Sequence, residues 1–419
     1  MKKKITVAAL LAAALTCAGF AQQGPVPKGV PHLDHVFVIM MENHGYSQIL
    51  NNLNAPFINS YAQSANLATN YYAIAHPSLT NYLEAVGASN FGVLSDNDPD
   101  FHASCTTNLT TGIPNTDNPS SPSICPISGG GTDAATPLID TTNEVQGNPG
   151  EINIDGVHSF AANPNTVGIT IADQLVEAHH TWKSYQESLP VGGPDYVTYS
   201  DGFFTNLTDF TKINPQLNPP LSQGDVVKLY ASKHNPFVYF ANVQAGTDPH
   251  LSYANVADFN DLYGDLRSGN VPDYSFIAPN QCNDQHGRGN AGPFCNYDPV
   301  SDGTQAGLNP ALIDQGDVTV QRLVTAIHSS PAWRRGNNAI VVLWDENDYS
   351  VAPNNNHVVA IVDTSYGPHR RPSGQFYTHF SLVKSIEAGF GLPCLNHACD
   401  ESVSVMSDLF GGGREREGR

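Results

Sequence analysis

Two pairs of acidic or amide residues stand at the ends of two apolar runs that lie far apart in the chain. Val36-Phe37-Val38-Ile39-Met40-Met41 leads into Glu42-Asn43, and Ala339-Ile340-Val341-Val342-Leu343-Trp344 leads into Asp345-Glu346. Carboxylates and an amide carbonyl are hard oxygen donors, and three carboxylates gathered in one place repel unless a cation holds them. Glu42, Asn43, Asp345 and Glu346 are therefore the candidate ligands of a divalent metal ion. Taken alone, Glu42-Asn43 is equally a helix cap, and Asp348 is either a further ligand or a solvated loop residue.

The candidate nucleophile lies in His76-Pro77-Ser78-Leu79-Thr80-Asn81-Tyr82. A serine hydroxyl attacks once a metal or an adjacent base lowers its pKa. Leu79 to Val86 reads as the start of a helix, whose first N–H groups could bind an anion. An N-cap serine is the plain alternative for Ser78, and Thr80 is the competing hydroxyl. A further set follows a later apolar stretch, in Asn280-Gln281-Cys282-Asn283-Asp284-Gln285-His286-Gly287. In an extended loop, Asp284 and His286 would point to one side as a chelating pair, or they form a surface ion pair. His379 begins a helical pattern reaching Phe390 and is a candidate ligand or phosphate contact; His250 and His357 are weaker candidates. His179-His180 sits at a helix end, where it complements the dipole.

These groups need elements to hold them. Val36 to Met41, Phe237 to Val243, Tyr274 to Ala278 and Ile340 to Trp344 read as buried strands. Helical patterns lie between: Ile171, Leu175 and Val176 mark one that runs into Trp182, and Val320, Leu323, Val324 and Ile327 mark another capped by Asp317. Alternating strands and helices predict an α/β fold, a largely parallel sheet with helices on both faces, whose ligands gather where the strands stop.

Residues 1–21 have the pattern of a secretory signal: Met1-Lys2-Lys3-Lys4, an apolar stretch from Ile5 to Leu15, and a small-residue exit at Gly19-Phe20-Ala21. The stretch is too short to span a membrane. Cys17 lacks the small residue that precedes a lipidated cysteine. Cys105, Cys125, Cys282, Cys295, Cys394 and Cys399 remain, an even set suited to an oxidising compartment, and sequential pairing is the simplest connectivity. The mature chain is expected to be secreted or periplasmic. One domain is expected over 22–410, with a loop-rich cap over 96–150 bordering the site, a second loop-rich stretch from Pro279 to Gly307, and a disordered tail over 411–419.

The charge of −20 comes from 39 Asp+Glu against 19 Lys+Arg. It argues against nucleic acid or an anionic membrane surface as a partner, and the absence of a long apolar segment after the signal argues against membrane insertion. An anionic substrate needs a local positive centre. With no basic cluster beside the acidic motifs, metal ions are the expected source.

In chain order these motifs resemble the phosphoesterase family of bacterial and fungal acid phosphatases and phosphatidylcholine-type phospholipases C, within the alkaline-phosphatase superfamily. The resemblance runs through Val36 to Glu42, His76 to Tyr82, Thr170 to Tyr185, Lys233 to Phe240, Gly269 to Gly287, Val341 to Glu346 and Tyr377 to Phe410. It departs at Thr80, where the family usually has proline, and at Asn347-Asp348, in place of a glycine-rich continuation. It implies a three-layer α/β/α sandwich, Ser78 as the phosphorylated nucleophile, and a metal held by Glu42, Asn43, Asp345 and Glu346. Asp284, His286 and His379 fall where relatives carry a second metal or phosphate contacts. The expected activity is an acid phosphatase acting on a small phosphorylated substrate, with a phospholipase C using the same groups as the alternative and a non-catalytic metal-binding protein as a third reading. His286 or His379 would protonate the leaving oxygen, and His76, Asn81, His250 and Asp284 are the expected phosphate contacts. The metal is Ca, Mg, Mn or Zn on donor chemistry.

Overall fold

The computed structural model describes residues 23–93, 96, 126–131, 151–152, 160–161, 163, 165–189, 229–287, 310–348 and 355–412. Eight strands form one sheet: β1 (His35–Met41), β2 (Asn66–Ala68), β3 (Trp182–Gln186), β4 (Val256–Asp258), β5 (Tyr274–Ala278), β6 (Asn338–Trp344), β7 (Ala360–Thr364) and β8 (Pro372–Ser373), in the spatial order β8-β2-β7-β6-β1-β5-β3-β4. The strands from β6 through β1, β5 and β3 to β4 run parallel, whereas β7 is antiparallel to both β6 and β2. β1 lies at the centre, with Met41 opposite Trp344 and Ile39 opposite Ile277. Every residue of β5, β6 and β7, and all of β1 beyond His35, is buried. Strands buried on both faces need a cover on each, which explains why they read as unbroken apolar runs.

The cover is helical. α1 (Pro56–Ser64), α4 (Phe259–Ser268) and α5 (Pro310–Ser329) form one packed group, and α2 (Ser78–Gly87), α3 (Ile171–Glu177) and α6 (His379–Phe390) form another. The result is the expected α/β sandwich with a mostly parallel central sheet. Local signals set the helix ends. Thr170 and Asp173 make a capping box on α3, and Asp258 accepts from the N–H groups of Asn260 and Asp261 at the start of α4. α4 and α6 stop at Gly269 and Gly391, whose φ angles of +76° and +70° suit glycine.

Three local expectations are corrected. Phe237 to Val243 is no strand: it is a 3-10 turn, Pro236–Tyr239, followed by a short helix, Ala241–Ala245. Pro236 sets a helical φ and gives no ladder N–H, and an apolar run this short carries no periodicity to tell helix from strand. α3 ends at Glu177, and Trp182 opens a strand, with His179 at a φ of +65° between them. His180 faces Asp273 at 3.3 Å. Asp317 does not cap its own helix, since α5 begins at Pro310. Its carboxylate instead accepts from the Phe57 and Ile58 N–H groups at 3.0 and 2.7 Å, capping α1 from across the interface.

Cys394 and Cys399 form a disulfide, as expected, and Cys282 is also disulfide-bonded. Cys105, Cys125 and Cys295 lie outside the described residues, as do the signal segment 1–21, most of the cap expected over 96–150, residues 288–307 of the loop-rich stretch expected from Pro279 to Gly307, and most of the tail expected over 411–419. No helix among the described residues is long and apolar enough to cross a membrane.

Candidate active site

The parallel pairing of β1 and β6 does the first work of assembly. The ladder continues one step past the strands, with the Asp345 N–H donating to Met41 O at 3.0 Å, so Glu42 and Asp345 leave the sheet side by side. The chain then turns through Asn43 at a φ of +50°, a conformation asparagine tolerates, and the Asn43 N–H donates to Asp345 Oδ1 at 3.0 Å. Glu42, Asn43, Asp345 and Glu346 are all buried. The four residues expected to hold a metal are thus brought to one end of the sheet. Asp348, just beyond, is buried as well.

Ser78 is the first residue of α2 and completes this group. Its Oγ lies 3.1 Å from Glu42 Oε2 and 3.2 Å from Glu346 Oε1, between the two acidic pairs. Thr80, the competing hydroxyl, donates to Val93 O at 3.2 Å and is spent on the fold. The anion site expected at the helix start is also in use. The Leu79 N–H donates to Asp96 Oδ1 at 3.0 Å, and the Thr80 N–H donates to Pro77 O at 3.1 Å.

A residue missed in the sequence joins from the 3-10 turn Ser232–His234. His234 sits with Nε2 2.8 Å from Glu42 Oε1 and Nδ1 3.3 Å from Asp284 Oδ2, and its ring stacks on Tyr82 of α2 at 5.0 Å. One ligand atom from each of Glu42, His234 and Asp284 lies within 4.8 Å of the others, a spacing that fits a metal ion. Two carboxylates and an imidazole suit a divalent cation. Asn43 Oδ1 and Asp345 Oδ2, buried without hydrogen bonds, add unused oxygen donors beside them. The expected ligand set therefore overlaps this cluster at Glu42.

The other expected residues divide by what their polar atoms already hold. His379 is fully buried. Its Nε2 is 2.7 Å from the Asp345 carbonyl, which can only accept, so Nε2 carries the proton and Nδ1 accepts from Tyr71 Oη at 3.1 Å. Both nitrogens are engaged and burial pushes its pKa down to about 4, an arrangement that orients Asp345. Asn81 lies in the same group, its amide holding Ile74, Ala75 and Glu346 Oε2. His76 Nδ1 lies 2.7 Å from Glu346 Oε2, so this ring orients a carboxylate. Asp284, an anion within the cation cluster, would repel phosphate. Nor does it chelate with His286, because Gln285 turns at a φ of +83° and Asp284 Oδ1 accepts from the His286 N–H. His250 is exposed, with its carbonyl on the Trp182 indole at the amino end of the sheet, so it falls outside the site. His286 remains beside the cluster, half-buried, its ring 5.9 Å from that of His234 and its Nδ1 2.9 Å from Gly287 O. His357 stacks with Tyr46 and Tyr72.

Burial dominates the electrostatics. It raises Glu42 to about 8, with Lys233 opposing and Glu346 adding, and raises Glu346 to about 8, with His76 opposing and Asp345 adding. Asp284 rises to about 7 by burial against the pull of His234, and Asp345 is raised well above the usual carboxylate range by burial and by Glu42. Four buried carboxyl groups that resist ionising one another are the expected state of a centre shaped around positive charge.

The sequence model of the Phosphoesterase family matches residues 49–293. A phosphatidylinositol-3-phosphatase of Mycobacterium tuberculosis is 23% identical over 98% of this chain and 94% of its own. A phosphate-repressible acid phosphatase of Penicillium chrysogenum is 24% identical over 81% of this chain, which spans 55% of that protein's length. Among solved structures, an alkaline phosphatase superfamily protein of Vibrio parahaemolyticus aligns over 89% of this chain and 69% of its own, with 11% identity and a TM-score of 0.42. The chain belongs to the phosphoesterase family and is a hydrolase of phosphoric ester bonds.

Proposed function

We propose that the chain is a metal-dependent acid phosphatase that hydrolyses phosphate monoesters through a phosphoserine on Ser78. The observation that carries this reading is the position of Ser78 Oγ between the Glu42 and Glu346 carboxylates, 3.1 and 3.2 Å from them. A divalent cation held by Glu42, His234 and Asp284, with Asn43 and Asp345 adjoining, would supply the positive charge that lets these carboxylates ionise and that offsets a phosphate ester.

The remaining steps belong to side chains. Ser78 Oγ gives its proton to one of the two carboxylates as it bonds to phosphorus, and the bond from phosphorus to the ester oxygen breaks in line. His286 supplies the proton that the leaving oxygen takes. Water then attacks the phosphoserine and gives a proton back to His286, the carboxylate returns its proton to Ser78 Oγ, and inorganic phosphate departs. His379 and His76 hold Asp345 and Glu346 in place through hydrogen bonds, which keeps the centre preorganised.

The two relatives named above are both called phosphatases, which favours a monoester over the phosphodiester of a phospholipase C. The same enzyme is proposed to be exported, on the basis of the secretory pattern at residues 1–21 and the disulfide between Cys394 and Cys399. The test is rapid-quench labelling with a radiolabelled monoester. A phosphoryl group trapped on Ser78 in acid supports the proposal, and steady turnover with no covalent intermediate refutes it.

A further inference from the structure

Among the described residues, a lysine lies on the turn that meets the acidic centre. Lys233 precedes His234 on the same 3-10 turn, and its side chain is only 13% exposed. Its Nζ lies 2.7 Å from Asp96 Oδ2, while Asp96 Oδ1 accepts from the Leu79 N–H, next to Ser78. One carboxylate thus ties the ammonium to the start of the nucleophile's helix. Burial works against the charge, and the ion pair with Asp96 offsets it. Lys233 opens one of the segments that carry the family resemblance, Lys233 to Phe240, but no acidic motif lies beside it in sequence to suggest a role.

An ammonium has three N–H donors, and the contact with Asp96 uses one. A buried lysine is costly unless its charge is used. The turn that carries it also carries His234, 2.8 Å from Glu42, and a phosphate monoester offers one more ionisable non-bridging oxygen than a diester. We propose that Lys233 binds the additional anionic oxygen of a monoester and so selects monoesters over diesters, with Asp96 positioning the ammonium. The inference rests on the phosphatase reading above and names the specificity of the same site. The step it affects is the one already written: Lys233 keeps its proton throughout and stabilises charge on a non-bridging oxygen.

The test compares Lys233→Met, Lys233→Gln, Lys233→Arg and Asp96→Asn on p-nitrophenyl phosphate and on bis(p-nitrophenyl) phosphate, with inorganic phosphate as competitive inhibitor. Loss of the charge is expected to lower kcat/KM for the monoester by about 100-fold and for the diester by much less, the scale of removing one donor to a developing oxyanion. Inhibition by inorganic phosphate should weaken in parallel. Lys233→Arg should restore most of the monoester preference, and Asp96→Asn should erode it while leaving Lys233 charged. Equal losses on both esters in a folded variant, or no loss, overturn the inference alone. A wild-type protein inert toward both esters overturns the phosphatase reading and this inference with it. A preference for monoesters that survives in Lys233→Gln also overturns it, even if Lys233→Met does not fold.

Discussion

Ser78 and Glu346 are 268 residues apart in the chain and 3.2 Å apart in space. Glu42 closes on the same hydroxyl from the other side at 3.1 Å. A serine held between two buried carboxyl groups is well placed to lose its proton, and removing the hydroxyl should end catalysis while sparing the fold. Ser78→Ala is expected to lower kcat by at least about 10³-fold, whereas Thr80→Ala should leave phosphoenzyme formation intact. Quenched-flow labelling of both variants checks this.

The cation cluster makes a separate prediction. Purified protein should contain a divalent metal by elemental analysis, lose activity on chelation and regain it on metal addition. His234→Ala and Asp284→Asn should each lower the bound metal, because each removes one of three converging ligand atoms. Metal content that is unchanged in both variants would count against the cluster.

The two histidines kept from the sequence reading should behave differently. His286→Ala should slow alkyl phosphates more than p-nitrophenyl phosphate, whose leaving group needs no proton. His379→Ala should slow both alike, with the pH profile unshifted, because that ring is neutral and acts only through Asp345. A leaving-group dependence in His379→Ala would reverse the assignment.

Glu187 gives a pH prediction away from the candidate ligands. It is fully buried and accepts from the Asn280 N–H and Asn283 Nδ2, and burial raises its pKa from 4.5 to about 7. A carboxyl whose folded pKa is raised contributes stability that is full below its unfolded pKa and is lost as pH rises through the folded value. Unfolding free energy should therefore decline between about pH 4.5 and 7, by on the order of 3 kcal/mol from this group. Glu187→Gln should flatten that part of the profile in urea titrations.

Asp317 tests the fold independently of the site. It caps α1 through two backbone N–H groups, so Asp317→Ala should destabilise the protein by about 1–2 kcal/mol in urea unfolding. kcat/KM should hold at the wild-type value, since the contact lies among α1 and α5 and touches no residue of the acidic centre.

The sheet centre was legible because β1, β5 and β6 are buried on both faces and so appear as plain apolar runs. The acids after β1 and β6 were legible for the same reason, since packing does not explain a carboxylate placed there. The roles of His234 and Lys233 were not, because they fall inside the resembling segment Lys233 to Phe240 with no acidic residue near them in sequence. The apolar run at Phe237 itself misled: Pro236 bends it into a helical turn, and the turn before it, Ser232–His234, carries Lys233 and His234 inward. Roles were harder to read than positions. His76, Asn81 and His379 do gather at the site, where they also hydrogen-bond Glu346 and Asp345.

The central pairing of β1 with β6 also has a temporal meaning. Asn43 and Asp345, joined at 3.0 Å, are 302 residues apart, so an emerging polypeptide holds Glu42 long before it owns a partner for it. Such distant closure is slow, and the half-made sheet leaves an unpaired edge at β1 until then. The two acidic pairs can therefore meet only once Asp345 has been made, 302 residues after Asn43.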